Sequence, residues 1–197
     1  DGMAGRPLEE LSGKTTLEAA DTPNFDRLAE KAEIGLASMV PEGMAPGSDT
    51  ANLSVMGYDP KIYYTGRSPL EALSIGVDMA AHDVSFRCNL VTLTEDGGAY
   101  EDQKIIDHSS SEISTEDSTV LLEALKEGLK REGYEFYAGT SYRHLLIWKH
   151  GEVLELTAPH DILTKTVGEY LPKDPVLFDM MKKSYEILKD HPINAER

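Results

Sequence analysis

The residues best suited to chemistry lie at 43–60, where a loop rich in glycine and proline leads into a helix. Ser48 and Thr50 flank Asp49 at this junction, and an apolar helical face follows until Gly57 ends it. Free backbone N–H groups and the positive end of the helix dipole meet at a helix start, which favours phosphate there. Two interpretations stay open at this point. Either Ser48 only caps the helix, or Ser48 or Thr50 is a nucleophile that accepts a phosphoryl group.

The nucleophile interpretation requires an activator, because a serine hydroxyl reacts poorly at neutral pH without a base or a metal. Composition narrows the class of protein that could supply one. The 197 residues are 40% hydrophobic and 27% charged, which is typical of a soluble globular protein with one large or two small domains. No apolar run has the length of a membrane span, and no signal peptide is evident.

Charge and cysteine content exclude further classes. The formal net charge of −16 argues against a nucleic-acid binder or a protein of anionic membranes, since both need a basic face. Cys88 is the only cysteine, so there is no internal disulfide and no thiolate metal cluster, which suits the cytoplasm. The chain starts at Asp1 with neither an initiator methionine nor a preceding strand, so we expect it to be a fragment of a longer protein.

The periodicity of apolar residues predicts an α/β fold that changes character near Asp83. Before this point we expect a helix that starts at 21–24, a buried strand at 34–40 and helices from Ser48 and near Pro69. After it, we expect strands at 84–93, 134–138 and 143–149, with 151–157 extending the sheet, a hairpin turn at 96–98, a helix from Ser114 to a stop at Gly133, and a final helix from Pro175.

Five short motifs, in order along nearly the whole chain, resemble the archaeal-type cofactor-independent phosphoglycerate mutases of the alkaline phosphatase superfamily. The resemblance implies a metal-dependent interconversion of 2-phosphoglycerate and 3-phosphoglycerate in glycolysis, hence a cytoplasmic enzyme that binds a small phosphorylated carboxylate. The motifs are Asp1-Gly2-Met3-Ala4-Gly5, Ala20-Asp21-Thr22-Pro23-Asn24, Pro46-Gly47-Ser48-Asp49-Thr50-Ala51-Asn52, Tyr64-Thr65-Gly66-Arg67 and Tyr142-Arg143-His144.

The resemblance also implies roles for individual residues. Ser48 matches the phosphorylated nucleophile bound to a divalent metal, and Asp1 matches a ligand of that metal. The metal is usually Mn²⁺, with Mg²⁺, Zn²⁺ or Co²⁺ as alternatives, and it activates the oxygen that attacks phosphorus. Candidate substrate-binding residues are those with charged or imidazole side chains, each of which could instead belong to a structural ion pair: Arg67, Arg87, His108, Arg143 and His144.

The change of pattern near Asp83 predicts a separate α+β unit at about residues 76–172, and the same resemblance implies what each domain does. Residues 1–75 and 173–197 would form part of an alkaline-phosphatase-like core, and residues 76–172 an inserted α+β domain that binds substrate. Members of the family are about twice as long, and their later half carries the remaining Asp and His metal ligands. None of the six histidines here has a matching ligand spacing. We therefore expect this chain alone to be inactive.

Two alternatives to a mutase stay open: a phosphatase or phosphodiesterase of the same superfamily, and an inactive structural fragment. The sequence leaves the oligomeric state open.

Overall fold

Two units make up the fold, Asp1–Thr65 and Gly66–Arg197. The computed structural model describes residues 5–94 and 98–196. Most of the predicted hairpin turn at 96–98 therefore lies outside the described residues, as does Asp1. Both units contain helices, and the described strands, all antiparallel, belong to the second, so the chain is of mixed α/β character.

The first unit is built from short helices. They are α1 (Thr16–Ala19), α2 (Pro23–Ala29), α3 (Ser48–Val55) and α4 (Pro60–Tyr63), after a 3-10 turn at Glu9–Leu11. Pro23 takes the first position of α2, as predicted, because its fixed φ suits a helix start and its missing N–H has no role there. Asp59 caps α4 by accepting a hydrogen bond from the Lys61 amide at 2.9 Å.

The predicted strand at 34–40 is wrong. These residues form no regular secondary structure, and no strand among the described residues of this unit pairs with them. Ile34 is 83% exposed and Leu36 is fully exposed. The apolar composition of the segment suits a strand, but a strand exists only where a neighbour completes its hydrogen-bond ladder.

The described residues of the second unit form two antiparallel sheets. The larger has the strand order β1 (Val84–Asn89), β5 (Arg143–Trp148), β4 (Tyr134–Tyr137), and the smaller pairs β2 (Thr92–Leu93) with β3 (Ile105–Asp107). Four helices accompany them: α5 (Arg67–Ser74), α6 (Thr115–Gly128), α7 (Pro175–Leu188) and α8 (Pro192–Glu196). Two 3-10 turns lie between β5 and α7, at Pro159–Ile162 and Val167–Tyr170.

Each face of the larger sheet packs against different helices. On one face, Phe86 and Leu146 join a core with Leu121 and Leu125 of α6 and Leu177 of α7. On the other, Leu145 and Ile147 pack against Ala72 of α5. Alternation along β5 makes this possible, because successive side chains of a strand point to opposite faces. The sheet thus fixes which residues of β1 and β5 share a surface.

Three predicted elements of the second unit also differ from the structure. The strand at 84–93 is divided at Leu90 and Val91, so that β1 and β2 join different sheets. Residues 151–157 form no strand, since the chain turns where Gly151 packs against Trp148, and a Cβ there would lie 2.5 Å from Cδ2 of the indole ring. The α6 helix ends at Gly128, because the next residue, Leu129, leaves the helix and is buried in the core.

The second unit is wider than the predicted inserted domain 76–172. On its early side, α5 packs against β1 and β5, and on its late side α7 packs against α6. The domain boundaries at 76 and 172 therefore stay a prediction. In the part of the chain that the structure covers, no helix has both the length and the apolar character needed to cross a bilayer.

Candidate functional site

Ser48 is the first residue of α3, and Gly47 before it occupies the N-cap position with extended backbone. The interpretation that Ser48 only caps the helix is therefore wrong. The Ser48 side chain is exposed, whereas Thr50 is only 2% exposed. Of the two hydroxyls that the sequence left open as nucleophiles, Ser48 is the one that a substrate can reach.

Asp49 is held in place beside Ser48. Its Oδ1 accepts a hydrogen bond from the Thr50 amide at 2.9 Å, and its Oδ2 accepts one from the Tyr64 hydroxyl. A Cβ added to Gly47 would lie 2.3 Å from Asp49 Oδ1, so this carboxylate position requires glycine before the serine. The sequence Gly-Ser-Asp-Thr thus produces an exposed hydroxyl at a helix start, with its acidic neighbour bound on both oxygens.

A metal site is not complete among the described residues. Asp1, the predicted ligand, lies outside them. Within residues 5–94 and 98–196, no three His, Cys, Asp or Glu side chains cluster as a metal ion would require. Ser48 is the one predicted ligand in the described part of the chain, and a hard divalent cation needs six or more oxygen ligands or waters.

A second group of candidate residues gathers around Tyr142, which precedes β5. The His108 ring lies edge-on to the Tyr142 ring, with 6.0 Å between centroids. The Arg143 guanidinium carbon lies 4.6 Å from the centroid of the same ring, and Nη2 donates a hydrogen bond to the Tyr142 hydroxyl at 3.2 Å. Tyr142 is 7% exposed and hence firmly packed, so it orients both His108 and Arg143.

The turn around His108 is held by hydrogen bonds between the residues on either side of it. Asp107 Oδ1 accepts hydrogen bonds from the backbone N–H and the hydroxyl of Ser109, each at 2.8 Å. These bonds, the backbone one first, hold the pKa of Asp107 below its ordinary value. His108 lies between the two bonded residues, so its backbone position is fixed by its neighbours.

Arg67 and Arg87 form a separate group that shares one carboxylate. Arg67 Nε donates a hydrogen bond to Glu71 Oε1 at 3.1 Å, and Arg87 Nε lies 3.2 Å from Glu71 Oε2. The Arg87 N–H is not aligned with that oxygen, so this second contact is an ion pair without a hydrogen bond. Both arginines thus belong to an ion pair within the fold, which is the alternative to substrate binding that the sequence left open for them.

His144 lies inside the core, opposite Cys88 on the neighbouring strand and 3% exposed. Its Nδ1 accepts a hydrogen bond from the Gly139 amide at 3.3 Å, and Nε2 is buried without a hydrogen-bond partner among the described residues. Burial, with a smaller contribution from Lys126, lowers the pKa of His144 to about 4. The structure therefore places His144 as a neutral core residue, more deeply buried than the half-buried His108 and Arg143.

This burial predicts a pH dependence of stability. The unfolded chain binds a proton at His144 below pH 6.5 and the folded chain does not, so the free energy of unfolding falls as the pH drops from 6.5 towards 4. At pH 5 the expected loss from this residue is about 2 kcal/mol. Urea unfolding followed by fluorescence of Trp148, the only tryptophan, measures it in the second unit.

Two variants make that test specific. His144→Asn keeps an acceptor for the Gly139 amide and removes the titrating ring, so its stability should change less between pH 7 and pH 5 than that of the unmodified chain. His82→Asn, at an exposed position, should behave like the unmodified chain. An equal pH dependence in all three proteins would contradict the assignment.

Sequence reasoning missed two residues of this region. Tyr142 belongs to one of the five motifs but is not among the predicted site residues, and only the structure shows it between His108 and Arg143. The order of His160 and Asp161 matches no ligand pattern, yet the His160 ring lies 6.3 Å from that of His108. A tyrosine beside an arginine at a strand start was an available signal; for His160 no local signal existed.

Comparisons with known proteins identify relatives of the chain. A family model described as 2,3-bisphosphoglycerate-independent phosphoglycerate mutase matches residues 29–194. A protein of that name from Methanosarcina barkeri is 49% identical over 100% of this chain and 49% of its own length. Another from Methanothermobacter thermautotrophicus is 44% identical over 100% of this chain and 48% of its own length. The chain thus spans about half the length of the curated relatives that it matches.

A solved structure shows the same relationship in three dimensions. The PH0037 protein of Pyrococcus horikoshii superposes with a TM-score of 0.65 at 30% sequence identity, over 100% of this chain and 45% of the other. The likeness covers both units, and it again leaves about half of the longer protein unmatched.

Proposed function

Because the chain belongs to the family of 2,3-bisphosphoglycerate-independent phosphoglycerate mutases, we propose that it is part of an enzyme that interconverts 2-phosphoglycerate and 3-phosphoglycerate. The observation that carries this proposal is the match over nearly the whole chain to relatives of that name. It extends through both candidate regions, around Ser48 and around Tyr142.

In this proposal Ser48 is the phosphoryl acceptor. Its Oγ forms a bond to the phosphorus of the substrate while the bond from phosphorus to the glycerate oxygen breaks, and the serine proton ends on that oxygen. The reverse transfer then places the phosphoryl group on the other hydroxyl of the same glycerate. The exposure of Ser48 at the start of α3 supports the assignment, because the amide dipoles of a helix start stabilise phosphoryl oxygens.

Arg143 and His108 are the proposed substrate-binding residues. Arg143 can hold a carboxylate or a phosphate through two parallel hydrogen bonds, and its stacking on Tyr142 reduces the freedom lost on binding. His108 adds a ring nitrogen on a rigid turn. Arg67 and Arg87 bind Glu71, and we propose that they act through this ion-pair cluster on the stability of α5 and β1.

The family resemblance implies a divalent metal, most often Mn²⁺, with Ser48 and Asp1 among its ligands. Such a metal neutralises phosphoryl charge and lowers the pKa of a bound oxygen. The described residues do not form this site alone, and we propose that the remaining ligands come from the part of the longer relatives that this chain does not match.

The proposal extends to the architecture and location of the enzyme. Residues 1–75 and 173–197 would contribute to an alkaline-phosphatase-like core, and 76–172 would be the inserted substrate-binding domain. A small phosphorylated carboxylate is the partner molecule, and the cytoplasm, where glycolysis takes place, is the proposed location. Closure of the inserted domain would exclude water from the phosphoserine, which is what separates a mutase from a phosphatase.

The test is an assay of a protein of full family length that contains this chain, with Mn²⁺ and 3-phosphoglycerate and without ATP. One route is a fusion of this chain to the unmatched half of the Methanosarcina barkeri relative. Phosphorus NMR separates 2-phosphoglycerate from inorganic phosphate, and we expect 2-phosphoglycerate. Release of inorganic phosphate alone would favour the phosphatase alternative, and a protein with neither product would overturn the proposal.

A further inference from the structure

His160 lies beside His108, although the two residues are far apart in the sequence. Their rings are 6.3 Å apart between centroids with 64° between planes. His160 is 53% exposed, and its Nε2 lies 3.7 Å from Asp161 Oδ1. Two imidazoles from different parts of the chain thus lie side by side. One of them, His108, also contacts Tyr142, on whose ring Arg143 is stacked.

The segment that carries His160 is held by backbone hydrogen bonds to β3 and to Gln103, two residues before that strand. The Thr164 amide donates to the Ile105 carbonyl at 2.7 Å, and the Val167 amide donates to the Gln103 carbonyl at 2.9 Å. Buried Ile162 packs with Ile105 and Val167 in a small core of its own. Because His108 directly follows β3, the strand that holds His108 also holds the segment 159–167 that carries His160.

We propose that His160 is a further substrate-binding residue, which with His108 binds an oxyanion of the phosphoglycerate; this inference rests on the proposed function. The 6.3 Å between the ring centroids places the two imidazoles side by side, with 64° between their planes. A carboxylate or phosphate has two or more acceptor oxygens, so one such group at the rim of the pair can accept a hydrogen bond of about 2.9 Å from a nitrogen of each ring.

The net charge of this chain makes such local donors necessary. With a formal net charge of −16, the general field of the chain repels an anionic substrate. His108 and the cationic Arg143 both contact Tyr142, and His160 contacts His108, so three side chains with nitrogen donors belong to one connected group. The pair His82 and His150 serves for comparison: its rings are 6.5 Å apart, and its charged neighbours are Asp83, which accepts the His150 amide hydrogen bond, and Lys149, which is paired with that carboxylate.

The first experiment uses the 197-residue chain itself and a direct binding readout. NMR of chains labelled in histidine follows the six imidazoles during titration with 3-phosphoglycerate. We expect the resonances of His108 and His160 to move together, while those of His82 and His150 stay in place. Equal shifts in both pairs, or shifts of His108 without His160, would overturn the proposal.

Two fragments of the substrate distinguish which oxyanion the pair binds. D-glycerate carries only the carboxylate and inorganic phosphate only the phosphoryl oxygens. A shift of both His108 and His160 with either fragment supports the proposal and identifies the group. Failure of both fragments and of the complete substrate to shift His160 contradicts it.

The second experiment measures kinetics in a protein of full family length. Since His160 is half-exposed, His160→Ala should fold normally and raise KM for 3-phosphoglycerate about tenfold with a smaller change in kcat. His160→Gln, which retains a donor, should recover part of the loss, and the control His150→Ala should match the unmodified enzyme. An unchanged KM in His160→Ala would show that the two rings only pack together.

The two experiments separate this inference from the proposed function. If the unmodified full-length protein has no mutase activity but His160 still shifts with 3-phosphoglycerate, the function is wrong and the oxyanion site stands. If the protein is an active mutase and His160→Ala behaves like the unmodified enzyme, the inference alone is wrong.

Discussion

Replacing Ser48 by alanine in the full-length enzyme is expected to abolish phosphoryl transfer, with a loss of at least about three orders of magnitude in kcat. The reason is that the proposed route passes through a covalent bond to this one oxygen. The fold should be unaffected, because Ser48 is exposed and Gly47 holds the N-cap position. Surface substitutions of this kind change the free energy of unfolding by about 0.5 kcal/mol or less.

Variants of the same helix provide the controls. Ser54→Ala removes a hydroxyl from α3 away from its start and should leave kcat near that of the unmodified enzyme. Mass spectrometry of enzyme quenched during turnover should find a phosphate on Ser48. Near-normal turnover in Ser48→Ala would disprove the assignment, and a phosphate trapped on Thr50 would transfer the role to a residue that is buried in this fold.

The second large effect concerns the 197-residue chain by itself, for which we expect no measurable mutase turnover and only weak affinity for Mn²⁺. The structure motivates this expectation, since no cluster of three potential metal-binding side chains occurs within the described residues. The net charge of −16 still attracts cations loosely, so any binding should weaken as salt is added. Calorimetric titration with Mn²⁺ and an assay for 2-phosphoglycerate measure both quantities.

The full-length protein is the matched control for this expectation. It should bind Mn²⁺ tightly and turn over 3-phosphoglycerate under the same conditions. Turnover near typical enzyme values, about 10 s⁻¹, by the short chain alone would contradict our interpretation. The metal ligands would then have to be sought among His108, His144 and His160.

The sequence predicted local elements of the second unit well. The α6 helix starts after Ser114, whose hydroxyl accepts a hydrogen bond from the Asp117 amide at 3.0 Å, and β4 and β5 form the antiparallel pair around residues 139–141 that the pattern indicated. These features depend on residues close together in the chain. Caps, turns and alternation are readable because their physical causes lie within a few positions.

Features that depend on distant partners were not readable in this way. The segment 34–40 has the composition of a strand, but whether a strand forms depends on a neighbour that composition does not reveal. His144 is a candidate substrate-binding residue in the sequence, next to Arg143, and only its position in β5 shows that its side chain is buried in the core. His160 reaches His108 through backbone bonds to β3, which no spacing rule anticipates.

At the candidate site, local chemistry identifies the serine but not its partners. A hydroxyl after Pro-Gly at a helix start has a limited set of roles, so the residue types around Ser48 are enough to single it out. The choice between Ser48 and Thr50 requires burial, which depends on the folded chain. Residue type alone does not distinguish the structural arginines Arg67 and Arg87 from Arg143. Their common ion-pair partner, Glu71, is known only from the folded structure.

The pairing of β1 with β5 has a consequence for how the protein is made. A ribosome adds about 5–20 residues per second, and roughly 50 residues separate the paired ends of the two strands, so β1 waits on the order of 3–10 s for its partner. Ser85, Arg87 and Asn89 give one side of β1 a polar character throughout that interval. A strand that carries a charge pairs poorly with copies of itself on neighbouring nascent chains. Arg87 therefore disfavours such pairing before β5 is synthesised, although its buried Nε–H has no hydrogen-bond partner among the described residues of the folded chain.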